Sequence, residues 1–227
     1  SEPPPVPISI PQTIVTSDNP GPEERLAASQ LAETLQKITG AGYGIAKESE
    51  YSAATRPAIY LGKTKFASAN GPGDLAAEEW LVKTSGENLI ITGGLPRGVL
   101  YGTFEFLEKL GCAWVARDAE RIPKVVNPTF SGQLRGRPFI RIRELYTAFT
   151  SQGFYSPELM LEEQWFRLRN KSGTFGNIGG VATDDGMLPL PSCHTADKFY
   201  CSFKDYFPTH PEYFAMGKDG KRIDGTF

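Results

Sequence analysis

The chain has 227 residues, with 24 basic and 26 acidic side chains for a net charge of −2 and no basic block, which argues against a nucleic-acid surface or a polybasic membrane patch. Its 24 glycines and 18 prolines make it loop-rich, yet below the roughly 25 to 30% of Gly and Pro at which disorder is the better reading. No stretch approaches the roughly 18 uninterrupted apolar residues of a membrane span, and the length allows about one and a half ordinary domains.

The start, Ser1-Glu2-Pro3-Pro4-Pro5-Val6-Pro7, has neither the basic end nor the apolar run of a signal peptide. It reads as a stiff tether over residues 1–11, of the kind that follows a removed signal, so a secreted or periplasmic location is expected. Ile8 to Ile10 and Thr13 to Thr16 are β-branched runs separated by Pro11, as expected for short strands. Asp18-Asn19-Pro20-Gly21-Pro22 then opens a helix, with Pro22 at its first position and Glu23 and Glu24 at the positive end of the dipole. Ala27, Leu31, Leu35 and Ile38 follow at helical spacing and Gly40 caps them, predicting an amphipathic helix of about 16 residues.

Ala58-Ile59-Tyr60-Leu61 is a short apolar run of the kind found in a strand covered on both faces. Trp80 to Thr84 and Leu89 to Thr92, joined by Ser85-Gly86-Glu87-Asn88, predict a hairpin. Gly93-Gly94-Leu95-Pro96-Arg97-Gly98 then leaves a strand and enters a helix that runs to about Leu110, with two apolar rows that imply burial from more than one side. Arg97 in its first turn opposes the dipole and calls for a partner carboxylate. Cys112 to Ala116 reads as a strand and Phe130 as the start of another. Strands and helices alternating over residues 12–135 make an α/β layer domain.

Beyond Arg135 the texture changes. Pro138 to Tyr146 alternates apolar and charged residues as a strand does, and Ser156-Pro157-Glu158 starts a helix carrying Leu159, Leu161, Trp165 and Leu168. Lys171 to about Asp197 has no period. Phe199 to Met216 is aromatic-rich, and Lys218-Asp219-Gly220-Lys221 is a turn. Residues 136–227 are far fewer than the roughly 200 to 250 of a (β/α)8 barrel, so a second domain is expected to be incomplete in this chain.

Gly94-Leu95-Pro96-Arg97-Gly98-Val99-Leu100-Tyr101-Gly102 resembles the G-x-x-R-G-x-x-Y-G stretch of the α/β domain that precedes the barrel in bacterial β-N-acetylhexosaminidases and α-glucuronidases. Lys37-Ile38-Thr39-Gly40, Ile59-Tyr60-Leu61-Gly62 and Leu110-Gly111-Cys112-Ala113-Trp114, leading to Ile122-Pro123, agree with it. Arg143-Glu144, Trp165 to Asn170, Cys193-His194-Thr195 and Tyr206 to Phe214 are similar to the DUF4838 family, where a Gly usually stands at the position of Cys193. The resemblance implies an α/β (mixed-sheet) N-terminal domain followed by the start of a TIM-like (β/α) barrel. It implies a glycoside-hydrolase-like protein acting on a glycan that contains uronic acid or N-acetylhexosamine, with the catalytic acid pair on later strands and this portion alone inactive. The alternative is a non-catalytic carbohydrate-binding or scaffolding protein of the same fold.

Four residues are candidate substrate contacts. Arg143 and Glu144 end the first expected barrel strand, where barrel active sites form, and an arginine there donates paired hydrogen bonds to vicinal hydroxyls or a uronate; a structural pair is the alternative. His194 lies in the aperiodic stretch, where a neutral imidazole can bond a hydroxyl, whereas His210 suits a turn. Asn170 ends a helix and either caps it or meets a sugar. Tyr146, Phe149, Phe154 and Tyr155 suit either a sugar ring or interdomain packing.

A carbohydrate is the expected partner, with no cofactor and no metal. Adjacent Asp184 and Asp185 lack calcium-loop spacing, and Gly93-Gly94 lacks a P-loop lysine. Exposed Trp165 and Phe166 would favour a homodimer. Cys193 and Cys201 either pair or stay free.

Overall fold

Runs rich in β-branched residues, Thr13–Thr16, Ile59–Leu61 and Asn88–Gly93, build the central strands of this protein, and the amphipathic helices Pro22–Thr39 and Gly98–Lys109 pack over them. The computed structural model describes residues 5–51, 56–71, 73–140, 143, 157–172, 177–178, 180–182 and 203–223. The chain divides into two units, Ser1–Asp185 and Gly186–Phe227.

In the first unit β1 (Ile8–Ser9) precedes β2 (Thr13–Thr16), α1 (Pro22–Thr39), β3 (Gly44–Lys47), β4 (Ile59–Leu61) and α2 (Lys65–Asn70). The hairpin β5 (Trp80–Ser85) and β6 (Asn88–Gly93) follows, then α3 (Gly98–Lys109), β7 (Ala113–Ala116), β8 (Ala119–Arg121), β9 (Thr129–Phe130) and β10 (Gln133–Gly136). Next come α4 (Pro157–Arg169), β11 (Asn177–Ile178) and β12 (Val181–Ala182). A six-stranded mixed sheet runs in the order β10-β5-β6-β4-β2-β3, with β6, β4, β2 and β3 mutually parallel and β5 and β10 antiparallel to their neighbours. This is the mixed α/β architecture expected from the sequence.

Strand alternation assigns the two faces. Ile14, Ile59, Leu61, Leu89 and Ile91 point into the main core with α1 and α3, whereas Val15 and Tyr60 point to the other face, where Phe66 of α2 stacks on Tyr60 at 4.0 Å. Leu100, Phe104, Phe106 and Leu107 of α3 are fully buried, and each such side chain contributes roughly 1.5 to 3 kcal/mol when removed from water. Two aromatic edges close that core: Phe104 on Trp114 at 5.6 Å and Phe106 on Phe130 at 5.5 Å. Phe130 arrives through β9, which pairs with β1.

The local signals act as expected. Gly40 ends α1 at φ 78°, a left-handed cap that glycine takes without strain. Gly86 supplies the positive φ of the tight β5–β6 turn, and Ser85 pairs directly with Asn88. Glu24 in the first turn of α1 accepts from its own N-terminal Gly21 N–H at 2.9 Å and from the Lys63 N–H after β4 at 2.6 Å. One carboxylate thereby caps the helix and ties it to the loop that leaves β4.

Some elements differ from the sequence expectation. β3, α2 and β10 lie in stretches to which the sequence assigned no element, and the stretch beyond Lys171 holds the small β11–β12 hairpin. Pro138, Phe139, Ile140 and Arg143 are in no strand; residues 141–142 and 144–146 of that expected strand lie outside the described residues. Trp165 and Phe166 are half-buried rather than exposed, Trp165 against the edge of the main core. In the second unit, α5 (Phe203–Tyr206) precedes a helical turn at Pro211–Tyr213. His210 stacks on Tyr213 at 4.7 Å with Nδ1 3.1 Å from Glu212 Oε1, in line with a turn-stabilising role. The expected turn at Gly220 (φ 76°) brings Met216 opposite Arg222.

Cys112 follows α3 and is 3% exposed. Burial, with Glu120 adding to it, pushes its thiol up to about 11, and the thiolate is the reactive form. Native protein at pH 8 is therefore expected to leave Cys112 unmodified by iodoacetamide and to label it fully once unfolded in urea, as read on the Cys112 peptide by mass spectrometry. Equal labelling in both states would contradict the packing at the end of α3.

Candidate functional site

The richest polar constellation forms where the loop before β5 meets the start of α3. Glu78 adopts φ 58°, a conformation that costs a non-glycine residue about 1 kcal/mol or more, and it carries its carboxylate under the helix. Arg97, 2% exposed at its side chain, donates through Nη2 to Glu78 Oε1 at 2.6 Å and through Nε to the same oxygen at 2.8 Å. This is the partner carboxylate that an arginine in the first turn of a helix required. Tyr101, one turn later, donates its hydroxyl to Glu78 Oε1 at 3.3 Å.

Arg143 enters the same cluster. Its Nη2 donates to Glu78 Oε2 at 2.9 Å and to the Tyr101 hydroxyl at 3.1 Å, its Nε to the Lys171 carbonyl at 2.6 Å and its Nη1 to the Ile140 carbonyl at 2.6 Å. The Ser172 hydroxyl donates to the Arg143 carbonyl. Burial alone would lower the Arg143 pKa, but the bonds to Glu78 and Tyr101 outweigh it and leave the group above its ordinary value. Burial likewise pushes the Tyr101 hydroxyl far up, with Arg97 opposing. Around this pair Lys171 reaches Glu105 at 3.0 Å and Glu108 at 3.3 Å and lies 5.6 Å over the Trp80 ring.

Two guanidinium groups and one carboxylate, largely out of water, form a charge-assisted network whose members hold each other in place. Both carboxylate oxygens and all three Arg143 nitrogens are engaged by protein atoms. The arrangement fixes where Arg143, Lys171 and Ser172 sit against the α/β layer.

Asn170 occupies the end of α4, and its Nδ2 donates to the Phe166 carbonyl at 2.9 Å and to the Trp114 carbonyl at 3.1 Å. Beside it, the Arg169 guanidinium lies 5.4 Å from the Trp114 ring centroid and 5.3 Å from that of Trp165, a cation–π contact with each ring. Arg143 and Asn170 are thus both placed where α4 and its flanks meet the layer. Glu144, His194, the aromatics 146, 149, 154 and 155, the acids 184–185 and the cysteines 193 and 201 lie outside the described residues. Among the described residues no group of three His, Cys, Asp or Glu is placed to hold a metal ion, and no helix is long and apolar enough to cross a membrane. Sequence reasoning did not single out Glu78; the signal that pointed to it was Arg97.

Residues 7–106 match the family model described as the N-terminus of glycosyl hydrolase family 67. No curated protein matches the chain. Among solved structures, the chain is similar to BtGH115A, a family GH115 4-O-methyl-α-glucuronidase with specificity for decorated arabinogalactans, at 15% identity and a TM-score of 0.53 over 74% of this chain and 25% of that one. It is also similar to the GH20 β-N-acetylhexosaminidase of Streptomyces coelicolor A3(2), at 20% identity and 0.42 over 61% of this chain and 25% of that one. A GH138 enzyme targeting pectin rhamnogalacturonan II is similar at 16% identity and 0.44 over 71% of this chain and 18% of that one. The chain therefore spans a quarter or less of the length of these enzymes, and its mixed α/β fold is like that of part of BtGH115A.

Proposed function

We propose that this chain is the N-terminal portion of a secreted or periplasmic glycoside hydrolase acting on a glycan that contains uronic acid or N-acetylhexosamine. Residues 136–227 open a barrel-like region of the DUF4838 kind, and the paired carboxylates that glycoside hydrolysis uses stand on later strands. The α/β domain braces that opening. The observation that carries this reading is the match of residues 7–106 to the family 67 N-terminus.

A second reading has its own support. Every nitrogen of Arg143, the leading candidate for a sugar contact, is engaged by protein acceptors, which favours a carbohydrate-binding or scaffolding protein whose shared cluster is structural. One experiment separates the two. The natural full-length protein is applied to a glycan array and, in parallel, incubated with polysaccharides bearing glucuronate or N-acetylhexosamine while reducing ends are measured. Release of reducing ends is the expected result. Retention on the array without release selects the second reading, and neither retention nor release overturns both.

A further inference from the structure

A groove of about 450 Å³ lies at the C-terminal edge of the parallel strands β4 and β6, between α2 and the loop that precedes β5. Its size falls within the roughly 300 to 1,000 Å³ of small-molecule sites. A narrow cleft of about 10 Å³ adjoins it, sharing Lys63, Gly93, Gly94 and Leu95 and bounded beyond them by Glu23 and Glu24 of α1. The position follows from the topology. β4 and β6 are parallel neighbours, but α2 after β4 covers one face of the sheet and α3 after β6 covers the other. Connections that diverge in this way leave a crevice outside the carboxyl ends of the strands, where open α/β sheets bind ligands.

The lining is amphipathic. Leu95 is 53% exposed and with Leu75 forms an apolar wall, whereas Lys63, Asp74 and Thr92 present polar groups. Among the described residues the Lys63 ammonium and the Asp74 carboxylate take no ion pair or hydrogen bond. A pyranose ring has the matching character: a C–H face suited to the two leucines and a rim of hydroxyls that both accept from an ammonium and donate to a carboxylate. Charge narrows the choice. Asp74 in the groove, with Glu23 and Glu24 in the adjoining cleft, outnumbers Lys63, so an anionic sugar is repelled and an uncharged one is not.

We propose that this groove is a binding subsite for a neutral hexopyranose unit of a glycan, oriented by Lys63, Asp74 and Thr92 against Leu75 and Leu95. The proposal rests on the carbohydrate reading above and assigns it a place on the accessory domain, apart from the Arg143 cluster.

The test is an amide-detected NMR titration of the 227-residue chain with methyl β-D-glucopyranoside, the methyl glycoside of N-acetylglucosamine and, as the charged arm, D-glucuronate. The two neutral sugars are expected to shift the amides of Lys63, Gly73, Asp74, Gly93 and Gly94 with millimolar affinity, and glucuronate to bind at least fivefold more weakly. Asp74→Ala is expected to weaken neutral-sugar binding at least tenfold. Ala77→Trp, at an exposed position in the lining, should abolish it by filling the groove, with thermal unfolding unchanged in both variants. Shifts confined to other residues, or equal binding by both variants, overturn the groove and leave the glycan reading standing; silence of the whole chain toward all three sugars overturns the groove, and the full-length array then decides the glycan reading separately.

Discussion

Replacing Glu78 by Gln is expected to destabilise the protein by about 3 kcal/mol or more, the loss typical of breaking a buried charge network by removing one partner. The reason lies in what remains. Arg97 keeps its full charge with a side chain 2% exposed, and Arg143 faces it from the other oxygen position with 15% exposure. Two guanidinium groups would then share one neutral amide whose NH2 group can only donate. The carboxylate cannot be replaced from solvent without opening the helix start. Urea unfolding at neutral pH checks the expectation: the midpoint should fall with an unchanged slope, and the melting temperature should drop by roughly 6 to 12 °C for a chain of this size. A loss below about 1 kcal/mol would mean that water reaches both arginines and that the cluster behaves as a surface pair. Arg143→Ala should cost less than Glu78→Gln, because it leaves the Arg97–Glu78 pair intact.

What the sequence made legible follows from where the information is local. α1 and α3 carry Pro or Gly punctuation and an apolar period over several turns, so both were readable, and so was the β5–β6 hairpin with its central glycine. β3, with the sequence Gly44-Ile45-Ala46-Lys47, is a solvent-facing edge strand with no alternation, and it exists because β2 offers a parallel partner. β10 has the same origin: Gln133-Leu134-Arg135-Gly136 is polar, yet it registers on Trp80 to Lys83, and Arg135 bonds Glu79 at 2.7 Å from that position. α2 spans six residues, too few for a helical period to show. In the cluster, Arg97 announced the need for a carboxylate through its unfavourable place in the dipole. Its partner stayed hidden because Glu78 and Glu79 are adjacent and alike in sequence. Backbone geometry separates them, turning Glu78 under α3 and Glu79 toward β10.

The glycines of the Gly94 to Gly102 motif explain why that separation holds, and they predict the second large effect. The Gly94 N–H donates to the Glu79 carbonyl at 2.8 Å, and the Glu78 N–H donates to the Leu95 carbonyl at 3.1 Å, so two backbones run side by side at the start of α3. A Cβ on Gly94 would collide with the Ala76 carbonyl oxygen, and one on Gly98 with the Glu79 carbonyl oxygen. Neither obstacle is a side chain that can swing away. Gly94→Ala is therefore expected to cost about 3 kcal/mol, the upper range for overpacking a close contact, because the loop bearing Glu78 must retreat from the helix. At Gly102 a Cβ would meet the Trp80 Cβ at 3.1 Å, which has to give by only a few tenths of an ångström, and the Ile91 Cγ2 and Thr92 carbonyl oxygen at an ordinary 3.6 Å. Alanine there also gains up to about 1 kcal/mol of helix propensity, so Gly102→Ala should be close to neutral. The two large effects are one mechanism seen twice: once the loop has retreated, Glu78 no longer meets Arg97. The Gly94→Ala, Glu78→Gln double variant should then fall short of the sum of the singles by about 1 kcal/mol or more, the size of coupling found between residues in contact. Strict additivity in urea unfolding would show that the glycine motif and the ion cluster stabilise the domain separately, and that the motif does not exist to seat Glu78.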